Sequence, residues 1–305
     1  MVSSTKQTQR GLVAGTLLVL AGGGCTLLVD TGGLEGKAAS GPTDGGGPDV
    51  APRDGESDTG AKPDASADAP DDVAPDAPTT IADVYAAAVL SDGPAMYLRL
   101  DDSGGSLAVD SAAGGSIRAY FGSVKYGVPG AFPGSSAISL DGGSGGINAG
   151  PQFDFDGVKP FTLEAWHRST KTDATYRFIF SKDVLDSMNR RQEYGVFLQS
   201  PDGFAFERYV DNTSTAAGTT DPAPGSGFHH VVATYDGAVG FFWIDGNVAG
   251  TLNDVRSAAT KGTALYVGAH DPTYGTLYGD LDDVAVYEKA LSSDRILAHY
   301  HAAGR

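Results

Sequence analysis

Glu164 and Trp166 stand two residues apart in Phe161-Thr-Leu-Glu-Ala-Trp166. A β-strand repeats every two residues, so the pair shares one face. An indole offers a flat apolar platform to a sugar ring, and the carboxylate accepts hydrogen bonds from its hydroxyls. The pair is therefore a candidate carbohydrate site; the other outcome for it is burial under a neighbouring loop. Tyr209, with Glu207 on its face, adds to the candidate set. The segments 182–193, with Arg190, and 270–274, beginning at His270, are placed to rim such a surface.

Glycan cleavage needs two carboxyl groups across the bond, about 5–5.5 Å apart for retention or 6.5–9.5 Å for inversion. Asp280-Leu-Asp282 is the nearest approach to such a pair, and capping of loop amides or cation binding explains it better. None of the six histidines has His-Glu-x-x-His spacing, and His229-His230 in a strand reads as structural. There is no Gly-x-Ser-x-Gly elbow. Gly142-Gly-Ser-Gly-Gly146 has no Lys or helix after it, so it reads as a hairpin loop and not a phosphate cradle.

The elements that must position these groups are strands. From Ala95 onward apolar residues recur with period two, over Ala95–Leu100, Ala137–Leu140, Phe161–Arg168, Tyr176–Ser181, Tyr194–Gln199, Phe204–Val210, His229–Tyr235, Gly240–Ile244, Leu265–Gly268 and Leu281–Tyr287. Asp236-Gly237 and Asp245-Gly246 flank Phe241-Phe-Trp-Ile244, which predicts a chain of hairpins. Ile81, Val84, Tyr85 and Val89 fall at helical spacing, stopped by Gly93-Pro94. A second helix begins at the N-cap Ser292, carries Ile296, Leu297 and Tyr300, and ends at Gly304. Many short strands without intervening helices predict an all-β sandwich or jelly roll and exclude a βαβ fold.

The first eighty residues are a different polymer. No aromatic residue precedes Tyr85. Lys6 and Arg10 followed by the apolar stretch Gly11–Ala21 read as an export signal over residues 1–24, too short to span a bilayer of about 30 Å. Between Cys25 and Thr80, 12 acids face 3 bases among seven prolines, so residues 25–80 are expected to form an extended, disordered tether. The chain as a whole carries a formal charge of −17, which argues against nucleic-acid partners. With a single cysteine, intrachain disulfides are ruled out.

Two resemblances add to this reading. A lone Cys25 after an apolar run resembles a bacterial lipoprotein signal, which implies a diacylated N-terminus holding the chain to the cell envelope; the alternative is a secreted form. Tyr97-Leu-Arg-Leu-Asp-Asp102, Asp110-Ser-Ala-Ala-Gly114, Phe161–Trp166, His230-Val-Val-Ala-Thr-Tyr-Asp-Gly237, Trp243-Ile-Asp-Gly246 and Gly279-Asp-Leu-Asp-Asp-Val-Ala-Val-Tyr287 resemble, in order, the blocks of a laminin-G-like domain of the concanavalin A-like superfamily. The resemblance implies a jelly-roll β-sandwich over residues 81–305 with a short C-terminal helix. It also implies a calcium ion at the sandwich edge, where Asp102, Asp110 and Asp282 supply the oxygen donors calcium prefers. The acid pattern of the related glucanases, Glu-x-Asp-x-x-Glu, is missing. The expected role is non-catalytic recognition of a glycan or a cell-surface protein, with a glycan-degrading hydrolase or a spacer without ligand as alternatives.

Overall fold

The computed structural model describes residues 80–169, 171, 175–185, 190–199, 203–211, 213–218, 227–259 and 262–305; the export segment, Cys25 and the stretch up to residue 79 lie outside the described residues. Helix α1 (Ile81–Ser91) opens this part, and α2 (Ser293–Ala302) closes it. Between them come β1 (Met96–Leu98), β2 (Leu107–Ala108), β3 (Arg118–Gly122), β4 (Lys125–Pro129), β5 (Ser136–Asp141) and β6 (Gly145–Asn148). Then follow β7 (Phe161–Ser169), β8 (Arg177–Leu185), β9 (Arg190–Gln199), β10 (Gly203–Val210) and β11 (Thr213–Gly218). The last strands are β12 (His229–Tyr235), β13 (Val239–Ile244), β14 (Asn247–Asn253), β15 (Leu265–Val267) and β16 (Tyr278–Tyr287).

The strands form two eight-stranded sheets. The first runs β14-β13-β12-β7-β16-β5-β4, with β1 also paired to β16. The second runs β11-β10-β9-β8-β15-β6-β3-β2. All pairings between these strands are antiparallel. This is the expected sandwich. The expected hairpin chain is present as β12-β13-β14, and its second turn holds Asp245 and Gly246 at φ 50° and 75°, the left-handed pair that a tight hairpin needs. The Gly142–Gly146 segment is corrected: it carries the chain from β5 in the first sheet to β6 in the second, so it is a crossover and not a hairpin.

Period two sorts the side chains into two cores. Leu163, Val231, Ala233 and Phe242 of the first sheet meet Phe180, Val196, Phe206 and Val267 of the second. The alternate residues Trp166, Val232 and Tyr287 point the other way, where Tyr85 and Val89 of α1 and Ile296 of α2 cover them. Each helix is short and gains its stability from this covered face. Thr80 caps α1 through its hydroxyl, which accepts from the Asp83 amide. Ser292 occupies the N-cap of α2 but makes no side-chain cap bond. Among the described residues no helix is long and apolar enough to cross a membrane.

Candidate functional site

The helix-covered face contains the first pair singled out above. Glu164 and Trp166 are neighbours there, as the strand period requires, but both are wholly buried. Trp166 lies at 4.9 Å from His230 and 6.2 Å from Tyr300, ring to ring, both stacked. The pair therefore presents no platform to solvent, because two helices occupy the space a sugar would need. Glu164 is instead the hub of a polar network. Its Oε1 accepts from the Tyr85 hydroxyl at 2.9 Å and stands 2.8 Å from His230 Nε2 and 3.0 Å from His299 Nδ1. Its Oε2 accepts from the Tyr287 hydroxyl at 2.8 Å. Burial pushes the Glu164 carboxyl up, but the His299 charge and the bonds to both histidines outweigh it and hold the group well below the usual carboxylate range.

Two further histidines, His229 and His167, are held by neighbouring groups of the sheet. His229 Nδ1 lies 2.7 Å from Asp245 Oδ2 at the hairpin turn. His167 is buried against the Asp280 carbonyl, and burial pushes its imidazole down to about 4.

The three aspartates implied as calcium ligands are not gathered into one donor set. The Asp110 side chain is closed to solvent with both oxygens committed, Oδ1 to the amides of Tyr97 and Ala112 and Oδ2 to Arg118 at 3.1 Å. An arginine so placed neutralises the carboxylate a cation would need. Asp102 accepts from the Tyr120 hydroxyl at 2.8 Å. Asp282 accepts through Oδ2 from the Ala131 amide and the Ser135 hydroxyl, while its buried Oδ1 has no hydrogen-bond partner. Asp282 also leaves the face of Val284 that simple alternation assigns to it. The register of β16 shifts between Asp282 and Ala285, Asp283 takes φ 46°, and Leu281 and Val284 both enter the inter-sheet core. Both aspartates are thereby turned away from that core. Burial pushes both carboxyls up; the Asp282 charge raises Asp283 further, while the bonds from Ala131 and Ser135 pull Asp282 back.

The outward face of the second sheet carries a cavity of about 350 Å³, lined by Asp183, Thr263, Ala264, Tyr266, Asp271, Pro272 and Thr273. Tyr266 faces outward because its neighbours Leu265 and Val267 enter the core. It pairs in register with Asn148 of β6 and Ser181 of β8. Asp183 arrives from β8 beyond a register shift between Lys182 and Asp183. Asp271 is set by its own turn, Oδ1 accepting from the Thr273 amide at 2.6 Å and hydroxyl at 2.5 Å. His270 lies beside both acids, Nε2 at 3.1 Å from Asp183 Oδ1 and Nδ1 at 3.4 Å from Asp271 Oδ2. Its ring meets Phe178 at 4.8 Å, and Gly275 permits that contact: at φ 71° a Cβ there would stand 2.6 Å from Phe178. Burial lowers the His270 pKa, but the two carboxylates outweigh burial and leave it raised. Pro272 and Thr273 are exposed at the rim.

The two segments expected to form a rim thus meet, through Asp183 and 270–273. Tyr209 is half-buried on β10 and Arg190 begins β9 with its side chain outside the described residues; neither is among the residues lining the cavity. Tyr266 and Asp183 escaped the sequence reading. Tyr266 sits in a three-residue strand, and nothing local to Asp183 signals that a distant histidine approaches it.

In the same sheet, Glu193 is the residue where the β9 register shifts, and it is buried with neither oxygen hydrogen-bonded. Burial pushes its carboxyl up to about 8, with Lys182 pulling back. The folded state therefore holds a proton that the unfolded chain releases near the ordinary glutamate value of about 4.3. That contribution to stability is fully present below the unfolded value and is lost as pH rises to about 8. Glu193→Gln is expected to flatten the fall in melting temperature across this window and to melt above the parent at pH 9. Parallel melting curves for the two chains from pH 5 to 9 would contradict a protonated Glu193.

Solved structures of several proteins share this fold. A Trypanosoma rangeli sialidase in complex with sialic acid matches with a TM-score of 0.53 and 18% identity, over 70% of this chain and 33% of that one. Domain 4 of AbnA, an extracellular arabinanase from Geobacillus stearothermophilus in complex with arabinotriose, matches with 0.51 and 16%, over 69% of this chain and 98% of that one. The receptor binding domain of a botulinum neurotoxin C/D mosaic serotype matches with 0.54 and 11%, over 69% and 51%. This chain thus spans about a third of the sialidase and about half of the toxin domain. No curated protein sequence matches it. A family model does, over residues 141–297, just over half of the chain, from the end of β5 into α2. With that match and two antiparallel sheets packed around one core, the chain belongs to the concanavalin A-like lectin/glucanases superfamily.

Proposed function

We propose that this chain is a non-catalytic recognition module that takes a carbohydrate at the outward face of its second sheet. The observation that carries this reading is the cavity of about 350 Å³ beside Tyr266, on the sheet face that the helices leave open. An aromatic ring, threonine hydroxyls and carboxylates in one hollow suit a sugar, whose rings stack and whose hydroxyls donate. The two acids share His270 between them, which supports binding over acid–base cleavage. That similar folds have been solved with sialic acid and with arabinotriose is in keeping with a glycan ligand.

A calcium ion would have Asp282 as its holder, since its buried Oδ1 is without a partner and Asp283 stands beside it. The Cys25 thiol, if diacylated, would tether the module to the cell envelope through the acidic stretch that follows it.

A glycan array read with the full chain tests the main claim. Binding without release of reducing ends is expected, and Tyr266→Ala should weaken it about tenfold, which corresponds to about 1.4 kcal/mol. Release of reducing ends from a bound polysaccharide would replace the reading with hydrolysis. Undiminished binding by Tyr266→Ala would move the site elsewhere.

A further inference from the structure

We propose that Asp183, His270 and Asp271 hold a divalent transition-metal ion of the zinc class at the floor of this cavity. One donor atom from each of the three lies within 4.8 Å of the other two, and no other such group of three occurs among the described residues. The donor set is one imidazole and two carboxylates, each a group that zinc accepts, with a fourth position left for water or ligand.

The geometry separates this arrangement from a plain ion pair. His270 Nε2 and Asp183 Oδ1 are 3.1 Å apart, yet Asp183 Oδ1 is buried without a hydrogen bond. The ring nitrogen is close to the oxygen without a hydrogen bond to it, which leaves that oxygen open to a cation beside Nε2. Zinc bonds of about 2.0–2.1 Å at tetrahedral angles place neighbouring donors roughly 3.3 Å apart; an ion on His270 Nε2 would meet Asp183 Oδ1 at that spacing and would draw Asp271 in from within 4.8 Å. A carboxylate that is only 6% exposed and lacks a hydrogen bond to one oxygen needs a cation or a donor there. The third residue, Asp271, is braced by Thr273 through Oδ1, and its Oδ2 lies 3.4 Å from His270 Nδ1, long for a firm hydrogen bond.

The scaffold is already fixed around the three. The Thr263 hydroxyl donates to the Asp183 carbonyl, Phe178 packs on the imidazole, and the 271–274 bridge closes the loop. Pre-setting ligands in this way raises affinity, because less order has to be imposed on binding. The open coordination position would face the cavity, towards Tyr266 and Thr273.

The test is calorimetry and thermal melting of the full chain, made without a histidine tag, stripped with chelator and titrated with zinc chloride. One zinc per chain is expected. At a hundredfold excess over the dissociation constant the melting temperature should rise by roughly 5–10 °C. His270→Ala and Asp183→Asn should each abolish the rise. Asp183→Asn keeps the shape of the side chain, so it answers even if His270→Ala fails to fold. A stripped wild type that takes up no zinc, or zinc binding unchanged in Asp183→Asn, would overturn the assignment. So would calcium binding here as tightly as zinc, since the imidazole would then have no part in it. Glycan binding is not read in this experiment, so its outcome is independent of the carbohydrate reading.

Discussion

Glu164→Ala is expected to destabilise the domain by about 3–5 kcal/mol, the usual cost of removing one member of a buried charged cluster. For a domain of this size that lowers the melting temperature by roughly 6–20 °C. The residue joins four elements to β7: Tyr85 from α1, His230 from β12, Tyr287 from β16 and His299 from α2. His299 is also tied through Nε2 to Asp92 at 2.8 Å, and Arg295 reaches the same carboxylate at 2.7 Å. Without Glu164, two phenols lose their acceptor and two histidines lose a hydrogen-bond partner in a region closed to water. Unpaired polar groups there cost about 1–3 kcal/mol each.

The same network gives a pH signature. Glu164 is depressed, so its contribution is present above the ordinary carboxylate value and is lost as pH falls through the lower folded value. His299 is raised: burial opposes its charge, but Glu164 and Asp92 outweigh burial. Its contribution is present below the ordinary histidine value of about 6.5 and is lost as pH rises through the higher folded value. The clamp is therefore fully formed between the ordinary carboxylate and histidine values, and Glu164→Gln should remove this hump from a plot of melting temperature against pH. A Glu164→Ala chain that melts with the parent would show that apolar packing alone holds the helices.

Lys182→Met is the second large effect, again about 3–5 kcal/mol. Lys182 is wholly buried, with its ammonium 2.8 Å from the carbonyls of Gln152 and Thr263 and 2.6 Å from Asp154 Oδ1. A methionine fills the space of the stem but leaves the carbonyls and the carboxylate without a donor. Thr263 lines the cavity, so the loss has a local readout too. Amide exchange at 262–266 should quicken in Lys182→Met well beyond what the same global destabilisation produces in Glu164→Ala. Equal exchange at matched stability would mean that Lys182 does not brace the cavity wall.

Much of the sandwich was legible because half-buried strands write their period into the chain. The stretch 229–235 was expected and found as β12, and Phe161–Arg168 falls within β7. The strands β2, β3, β4, β6, β11 and β14 were not legible. They are short or rich in Gly, Ala and Ser, and β4 and β14 expose most of their residues, so little apolar alternation marks them. The site was legible only in part. His270 and the rim segments stood out by residue type, whereas Glu164 and Trp166 stood out for a role that burial denies them.

Composition and period by themselves determined an acidic chain with an aromatic-free first segment, a two-sheet β domain and, away from register shifts such as that in β16, the face on which a strand residue falls. Those properties depend on neighbours along the chain. Which of the two outer faces would be sealed depended on where α1 and α2 dock, and the meeting of Asp183 with His270 depended on β8 pairing with β15. Both are contacts between residues some 80 or more apart, set by the packing of whole elements, and no local pattern of residues encodes them.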